Sequence, residues 1–257
     1  MPLAAAIDGA SGPVLMLGNS LGTSRALWNR QVPALARRFR VLRFELPGHG
    51  GAAAEPGPYS IDDLGASAVA VLDSLGIERA AYCGVSLGGM IGMWIASRHP
   101  DRITALGLIC TSAWLPPASA WLARAGAVRS GGMAPVVDQV VARWFTPAYA
   151  ARAPGVRAAF ADGLGRTDPE GYAACCEAIA GLDLRPRLAS ITAPTLVIAG
   201  SEDPATPPAH GAAIAAAIPR ARLAVVRGAA HLANVSAAAE VTAALLGLLT
   251  GADGARR

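Results

Sequence analysis

The sequence predicts an α/β fold, with a mostly parallel central sheet flanked by helices and a helical cap inserted after the strand near residues 105–110. Three observations carry that prediction. Short apolar runs rich in β-branched residues alternate with helix-length amphipathic segments, the pattern of parallel strands covered on both faces. The run 80–83 turns at Gly84-Val85-Ser86-Leu87-Gly88 into a helix, a tight strand–turn–helix corner with a serine at its tip. From Trp114 to about Ser190 the alternation stops and only helical pieces remain. The expected organisation is a core from residues 1–113 and 191–257 and a cap from 114–190.

Taken in order, residues 13–17 read as a strand, 32–38 as a helix and 40–45 as the next strand. A glycine turn at 46–51 and a Gly/Pro/Ala loop at 52–59 follow. Ser60-Ile61-Asp62-Asp63 is a capping-box-like start for a helix that stops at Gly76. The elbow helix is expected over 90–97, ended by His99-Pro100, and 105–110 is a further buried strand. Within the cap, helices are expected at 134–145, 156–164 and 170–180. The sheet resumes at 195–200, followed by a helix at 209–218, a strand at 222–226 and a last helix at 237–249. The polar tail 250–257 is expected to fray.

Composition narrows the function. The chain has 257 residues, 53% of them hydrophobic, which excludes a disordered segment and suits one large α/β domain. No apolar run reaches the ~18 residues of a membrane span. The N-terminus has no basic segment ahead of an apolar run, so no signal peptide is expected and a cytoplasmic location is. The net charge is +4 and all 22 basic residues are arginine, which rules out lysine chemistry. The arginines are scattered without interleaved aromatics, unlike a nucleic-acid surface. Cys83, Cys110, Cys175 and Cys176 show no metal or disulfide spacing, and no metal or cofactor is expected.

The chemistry starts from Ser86. A serine at such a turn is pushed out beside the first N–H groups of a helix, where a developing oxyanion is favoured. Gly18-Asn19-Ser20-Leu21-Gly22 matches the same pattern, but polar Thr23-Ser24-Arg25 follows it rather than an apolar helix, so Ser86 is the preferred nucleophile. A serine needs a base, and the base an orienting carboxylate, in chain order Ser, Asp, His. Asp203 lies just past the strand 195–200, with adjacent Glu202 as its alternative. His231 lies past the strand 222–226, while His49, His99 and His210 sit at a glycine turn, a helix end and a helix start. The oxyanion hole is expected from the backbone N–H groups of Leu87 and Leu21, which gives the second glycine-serine motif a role as oxyanion loop.

These residues resemble the α/β-hydrolase superfamily over essentially the whole chain, and within it the 3-oxoadipate enol-lactonases. The resemblance rests on Asn19-Ser20-Leu21-Gly22-Thr23 with Leu27-Trp28, and on Gly84 through Gly92. In the cap it rests on Gly132-Met133-Ala134, Arg143-Trp144-Phe145-Thr146-Pro147 and Glu170 through Cys176, and near the end on His231-Leu232-Ala233-Asn234-Val235. The chain departs from the family at Leu46-Pro47, where an arginine is common, and at Ser236, where an acid is common. It also has a short N-terminus, implying that a first strand or hairpin is missing.

The resemblance implies a small anionic lactone as substrate, opened through an acyl-enzyme without cofactor or metal. It also implies a group that receives the substrate carboxylate, for which Ser20, Arg143 and Trp144 are the candidates. Trp144 could equally be cap packing, and Arg143 a solvated charge. A general carboxylesterase or carbon–carbon bond hydrolase would use the same serine, histidine and aspartate. A non-catalytic ligand receptor on the same fold is the reading from a different class.

Overall fold

A strand covered on both faces has no polar side to show, and three of the predicted runs carry none. The computed structural model describes residues 3–251. In chain order it contains β1 (Ala5–Asp8), β2 (Val14–Gly18), α1 (Val32–Leu35), β3 (Arg40–Phe44), α2 (Ile61–Ser74), β4 (Ala80–Val85), α3 (Leu87–Arg98) and β5 (Ile103–Ile109). Next come α4 (Ala118–Gly131), α5 (Ala134–Trp144), α6 (Pro147–Arg152), α7 (Pro154–Gly165) and α8 (Pro169–Ala180). The chain closes with β6 (Thr195–Gly200), α9 (Pro208–Ala217), β7 (Ala221–Val226), α10 (Ala233–Ser236) and α11 (Ala238–Leu249). No helix of the described residues is long and apolar enough to cross a membrane.

The strands form one seven-stranded sheet in the order β1-β3-β2-β4-β5-β6-β7. β1 runs antiparallel to β3, and every other neighbouring pair is parallel. β4 and β6 are buried along their whole lengths, and for that reason β4, and β6 after Thr195, read as continuous apolar runs. From β2 the chain moves outward to β3 and then returns to place β4 on β2's other side. The order therefore reverses between β2 and β4, and the crevice past the carboxyl ends of strands at such a reversal is where open α/β sheets bind ligands. The Asn19 loop and Ser86 both emerge there.

Two helices show the local logic. At α2 the Ser60 hydroxyl accepts from the Asp63 amide at 3.1 Å while the Asp63 carboxylate accepts from the Ser60 amide at 2.8 Å, completing the capping box. α3 is buried from Leu87 to Ala96, packing on β4 and β5 with one side and α2 with the other. It needs no polar stripe, and it starts at Leu87, three residues before the expected position.

Several expectations are corrected. β1 carries little apolar signal, being four residues with a half-exposed Ala-Ala-Ile-Asp pattern, yet it forms an edge strand where the resemblance implies that one is missing. The helix expected over 32–38 stops at Leu35, because buried Phe39 must turn the chain into β3 at Arg40. α4 and α6 were not assigned. The last helix begins at Ala238, after a break at Ala237 (φ −123°, ψ 46°) that separates it from α10. The tail expectation falls mostly on residues 252–257, outside the described residues.

Helices α4–α8 lie between β5 and β6. The two stems of this stretch meet: Trp114 pairs with Asp183 in an isolated antiparallel bridge, the Leu184 amide donates to the Ala113 carbonyl at 2.8 Å, and the Arg185 guanidinium sits 3.9 Å over the Trp114 ring. α4 packs along α8. Arg129 of α4 clamps Glu170 and Glu177 of α8, and Glu170 in turn accepts from the Gly57 amide of the core at 3.1 Å.

Candidate active site

Ser86 joins β4 to α3 at φ 54° and ψ −117°, a conformation that L residues other than glycine rarely adopt and that costs about 1–3 kcal/mol. The surroundings hold it there. Its amide donates to the Ile109 carbonyl at 2.9 Å, and its carbonyl accepts from the Thr111 hydroxyl at 2.7 Å and the Met90 amide at 3.0 Å. Strand and helix cross so closely that a Cβ on Gly84 would lie 2.3 Å from the Gly88 carbonyl. Leu87 is the first residue of α3, so its N–H has no partner within the helix.

The Asn19–Gly22 loop leaves the end of β2 beside this corner. The Gly88 amide donates to the Asn19 carbonyl at 2.9 Å, tying loop and helix together. The Ser20 carbonyl accepts from the Thr23 amide and hydroxyl at 3.0 and 2.8 Å, closing a turn. Gly22, at φ +79°, donates its N–H to His49 Nε2 at 2.9 Å. The Asn19 side-chain amide donates to the Phe44 carbonyl at 2.8 Å and to the Glu45 carboxylate at 3.3 Å. Among the described residues, the amides of Leu21 and Leu87 donate to no protein acceptor.

Asp203 and His231, expected from sequence, are in contact. His231 Nδ1 lies 2.8 Å from Asp203 Oδ2, and both side chains are buried. The Asp203 carboxylate also accepts from the Ala205 and Thr206 amides at 2.8 and 3.0 Å and from the Thr206 hydroxyl at 2.7 Å. Burial pushes its pKa up, but the His231 ring and these hydrogen bonds outweigh burial and leave it below the ordinary carboxylate value. A charged Asp203 fixes the ring with a proton on Nδ1, leaving Nε2 as the acceptor. Glu202, the alternative, is exposed to solvent. His99 lies 5.5 Å from the Trp94 ring at the end of α3, and His210 lies in α9.

Ser86 and His231 line one cavity of about 200 Å³. Ser20 and Leu21 share its floor, and its roof is Trp121 and Arg124 of α4, Arg143 and Trp144 of α5, and Tyr172 of α8. All of the site residues expected from sequence except Leu87 and Asp203 face this cavity, and those two lie directly behind it. Trp144 lines the cavity while packing edge-on against Phe160 at 6.0 Å. The end of α5 also touches the histidine loop, with the Leu232 amide donating to the Trp144 carbonyl at 3.0 Å.

Arg124, Trp121 and Tyr172 were not anticipated. Arg124 stacks on the Trp121 ring at 4.6 Å, and neither it nor Arg143 has a carboxylate partner among the described residues. Burial, and then the nearby Arg124 charge, push the Arg143 pKa below the ordinary arginine value. The Tyr172 hydroxyl is buried and finds no hydrogen-bond partner. Two cations without a carboxylate partner and the Tyr172 hydroxyl, on which both charges act, give this roof the chemistry to receive an anion. No group of three His, Cys, Asp or Glu residues among those described is placed to hold a metal ion.

A family profile described as the alpha/beta hydrolase fold matches residues 13–134 and 163–238. The chain is 39% identical to 3-oxoadipate enol-lactonase 2 of Acinetobacter baylyi over 226 residues, covering 88% of this chain and 84% of that one. It is 32% identical to a putative carbamate hydrolase, RutD, of Stutzerimonas stutzeri, over 87% of this chain and 86% of the relative. Among solved structures, the enol-lactonase of Burkholderia xenovorans LB400 superposes with a TM-score of 0.94 at 42% identity, covering 96% of each chain. The sheet order, the serine corner and these likenesses agree, and the chain belongs to the α/β-hydrolase fold family of enzymes.

Proposed function

We propose that the protein is a serine hydrolase that opens the 3-oxoadipate enol-lactone to 3-oxoadipate, in the breakdown of aromatic compounds. The observation that carries this beyond acyl hydrolysis in general is the roof of the cavity. Arg124 and Arg143 have no carboxylate partner there among the described residues, the Tyr172 hydroxyl makes no hydrogen bond, and all three residues face the same space as Ser86 and His231. A substrate that carries a carboxylate supplies the missing partner, and a neutral ester leaves two half-buried cations unpaired. Likeness to two enol-lactonases over most of the chain supports the same substrate.

In this reading the Ser86 hydroxyl attacks the ring carbonyl while His231 Nε2 takes its proton and Asp203 steadies the imidazolium. The carbonyl oxygen becomes an oxyanion that accepts from the Leu21 and Leu87 amides. The ring C–O bond breaks, and the enol oxygen leaves, taking the proton back from His231. The enol tautomerises to a ketone while the other end of the substrate stays esterified to Ser86. Water, deprotonated by His231, then attacks the ester and releases the second carboxylate. Residues 1–113 and 191–257 act as the catalytic core and 114–190 as the cap that selects the substrate.

The test is steady-state hydrolysis of the enol-lactone, followed by loss of its ultraviolet absorbance, for wild type, Ser86→Ala and Ser20→Ala. Turnover abolished by Ser86→Ala and retained by Ser20→Ala is the expected result. A folded wild type that leaves the lactone intact overturns the substrate. The carbamate hydrolase relatives give a second reading, so a carbamate and p-nitrophenyl acetate belong in the same panel.

A further inference from the structure

The loop that carries the Leu21 amide is gripped at both ends by side chains from the turn after β3, and the two grips differ in kind. At one end the Gly22 amide donates to His49. At the other, the Asn19 side-chain amide donates to the fixed Phe44 carbonyl at 2.8 Å and to the titratable Glu45 carboxylate at 3.3 Å, and Glu45 is only 2% exposed. We propose that Glu45 is a positioning residue for acyl transfer: its carboxylate holds the Asn19 end of the oxyanion loop, and neutralising that carboxylate loosens the loop. The proposal rests on Leu21 as an oxyanion donor and is independent of which acyl substrate is hydrolysed.

The geometry supports a built carboxylate site. Glu45 follows β3 and Asn19 follows β2, so the two lie side by side at the ends of neighbouring parallel strands. The Glu45 carboxylate accepts from the Arg25 amide at 2.9 Å and from Asn19 Nδ2 at 3.3 Å. A Cβ on Gly50 would lie 2.2 Å from Glu45 Oε1, so the turn must carry glycine for the carboxyl to sit there. Asn19 passes the grip on, because its carbonyl accepts from the Gly88 amide, next to Leu87. A shift of Asn19 moves one oxyanion donor relative to the other.

The charged groups around Glu45 decide when its grip changes. The Arg25 guanidinium approaches to 3.7 Å but is 44% exposed. Arg43, on β3 just before Glu45, is committed to Asp8 at 2.8 Å. Burial dominates and raises the Glu45 pKa to about 7, against the lowering pull of the Arg25 amide and of the Arg25 and Arg43 charges. His49 faces the other end of the loop, with the more distant Asp168 charge acting on it. Burial holds its pKa at about 4, so it stays a neutral acceptor through the neutral range. One grip is constant near neutrality and the other varies.

The experiment uses the full-length protein, ¹⁵N-labelled, as wild type, Glu45→Gln and Glu45→Ala. The Asn19 side-chain amide resonance is followed from pH 5 to 9, with kcat and KM measured over the same range on p-nitrophenyl acetate and on the enol-lactone. The Asn19 resonance is expected to titrate with a midpoint near 7 in wild type and to stay flat in Glu45→Gln. The acid limb of kcat is expected to be steeper than one ionisation in wild type and to fall to one in Glu45→Gln, with KM within about twofold. Glu45→Ala should lose about tenfold in kcat at pH 8, and Glu45→Gln, the neutral isostere, should show at pH 8 the reduced kcat that wild type reaches once Glu45 is protonated. A flat Asn19 resonance in wild type, or superimposable kcat profiles for wild type and Glu45→Gln, overturns the proposal. Ester turnover with these differences and an inert lactone would retain it and sink the lactone reading. A folded wild type that turns over neither substrate removes the acyl transfer the loop would serve, and the proposal with it.

Discussion

The ring of His49 accepts the Gly22 amide proton on Nε2 at 2.9 Å and meets the Pro47 carbonyl with Nδ1 at 2.8 Å. Accepting at Nε2 requires a neutral ring, with its one proton on Nδ1 and donated to Pro47, and burial depresses the ring's pKa from 6.5 to about 4. Below pH 6.5 the unfolded chain takes up a proton that the folded chain refuses until about pH 4, so stability is lost as pH falls through that window. At about 1.4 kcal/mol per unit, the loss approaches about 3 kcal/mol. Urea unfolding of wild type against His49→Phe should show a stability gap that narrows from pH 7.5 to pH 4.5. At pH 7.5 the variant should be less stable by about 1–3 kcal/mol, because the Gly22 N–H and the Pro47 carbonyl lose their partner. A gap independent of pH would contradict this.

Glu45 pulls the other way. Its folded pKa is raised from 4.5 to about 7, so the folded chain keeps a proton that the unfolded chain has already lost, and stability falls as pH rises through that window. Glu45→Gln should therefore raise Tm at pH 8 and leave it nearly unchanged at pH 4. A variant that melts lower than wild type at pH 8 would show that the ionised carboxylate is a net stabiliser.

For the acyl-transfer residues, Ser86→Ala should lower kcat by about 10⁴-fold or more, and Asp203→Asn by about 10⁴-fold through the wrong ring tautomer. Glu202→Gln should stay within twofold of wild type, since Glu202 faces solvent while Asp203 holds the ring. Comparable losses in the two acidic variants would return the orienting role to Glu202.

On the roof, Arg124→Gln and Arg143→Gln should each reduce kcat/KM for the enol-lactone by about 10- to 100-fold, the worth of a charge-assisted hydrogen bond. The same variants should change p-nitrophenyl acetate hydrolysis by less than twofold. Equal losses on both substrates would mean that the arginines shape the cavity rather than read charge. Tyr172→Phe should not lower Tm, because the hydroxyl it removes is buried without a partner.

What could be read from the sequence was the part written in local pattern. The serine corner is a five-residue motif whose glycines are demanded by close backbone crossing. Asp203 and His231 announce themselves by following strand-like runs in the right order. Arg124 has no such signature: α4 carries small residues on most of its faces, so the segment gave no helical stripe and the arginine looked like any other charge. Glu45 reads as the polar end of a strand, and its importance appears only when the β2 loop is laid beside it. Tyr172 stands inside a cap motif, but that its hydroxyl makes no hydrogen bond is a property of how α4, α5 and α8 converge.

The meeting of the two cap stems at Trp114 and Asp183 has an evolutionary consequence. An insertion whose two ends meet at one point can be exchanged as a cassette, because the chain leaves and re-enters the core at the same place however the inserted helices are folded. Of the residues that line the cavity, Trp121, Arg124, Arg143, Trp144 and Tyr172 lie inside that cassette, while Ser20, Leu21, Ser86 and His231 lie outside it. Recognition and reaction can then drift at separate rates. The junction that both must respect is the contact of the Trp144 carbonyl with the Leu232 amide, where the roof rests on the histidine loop.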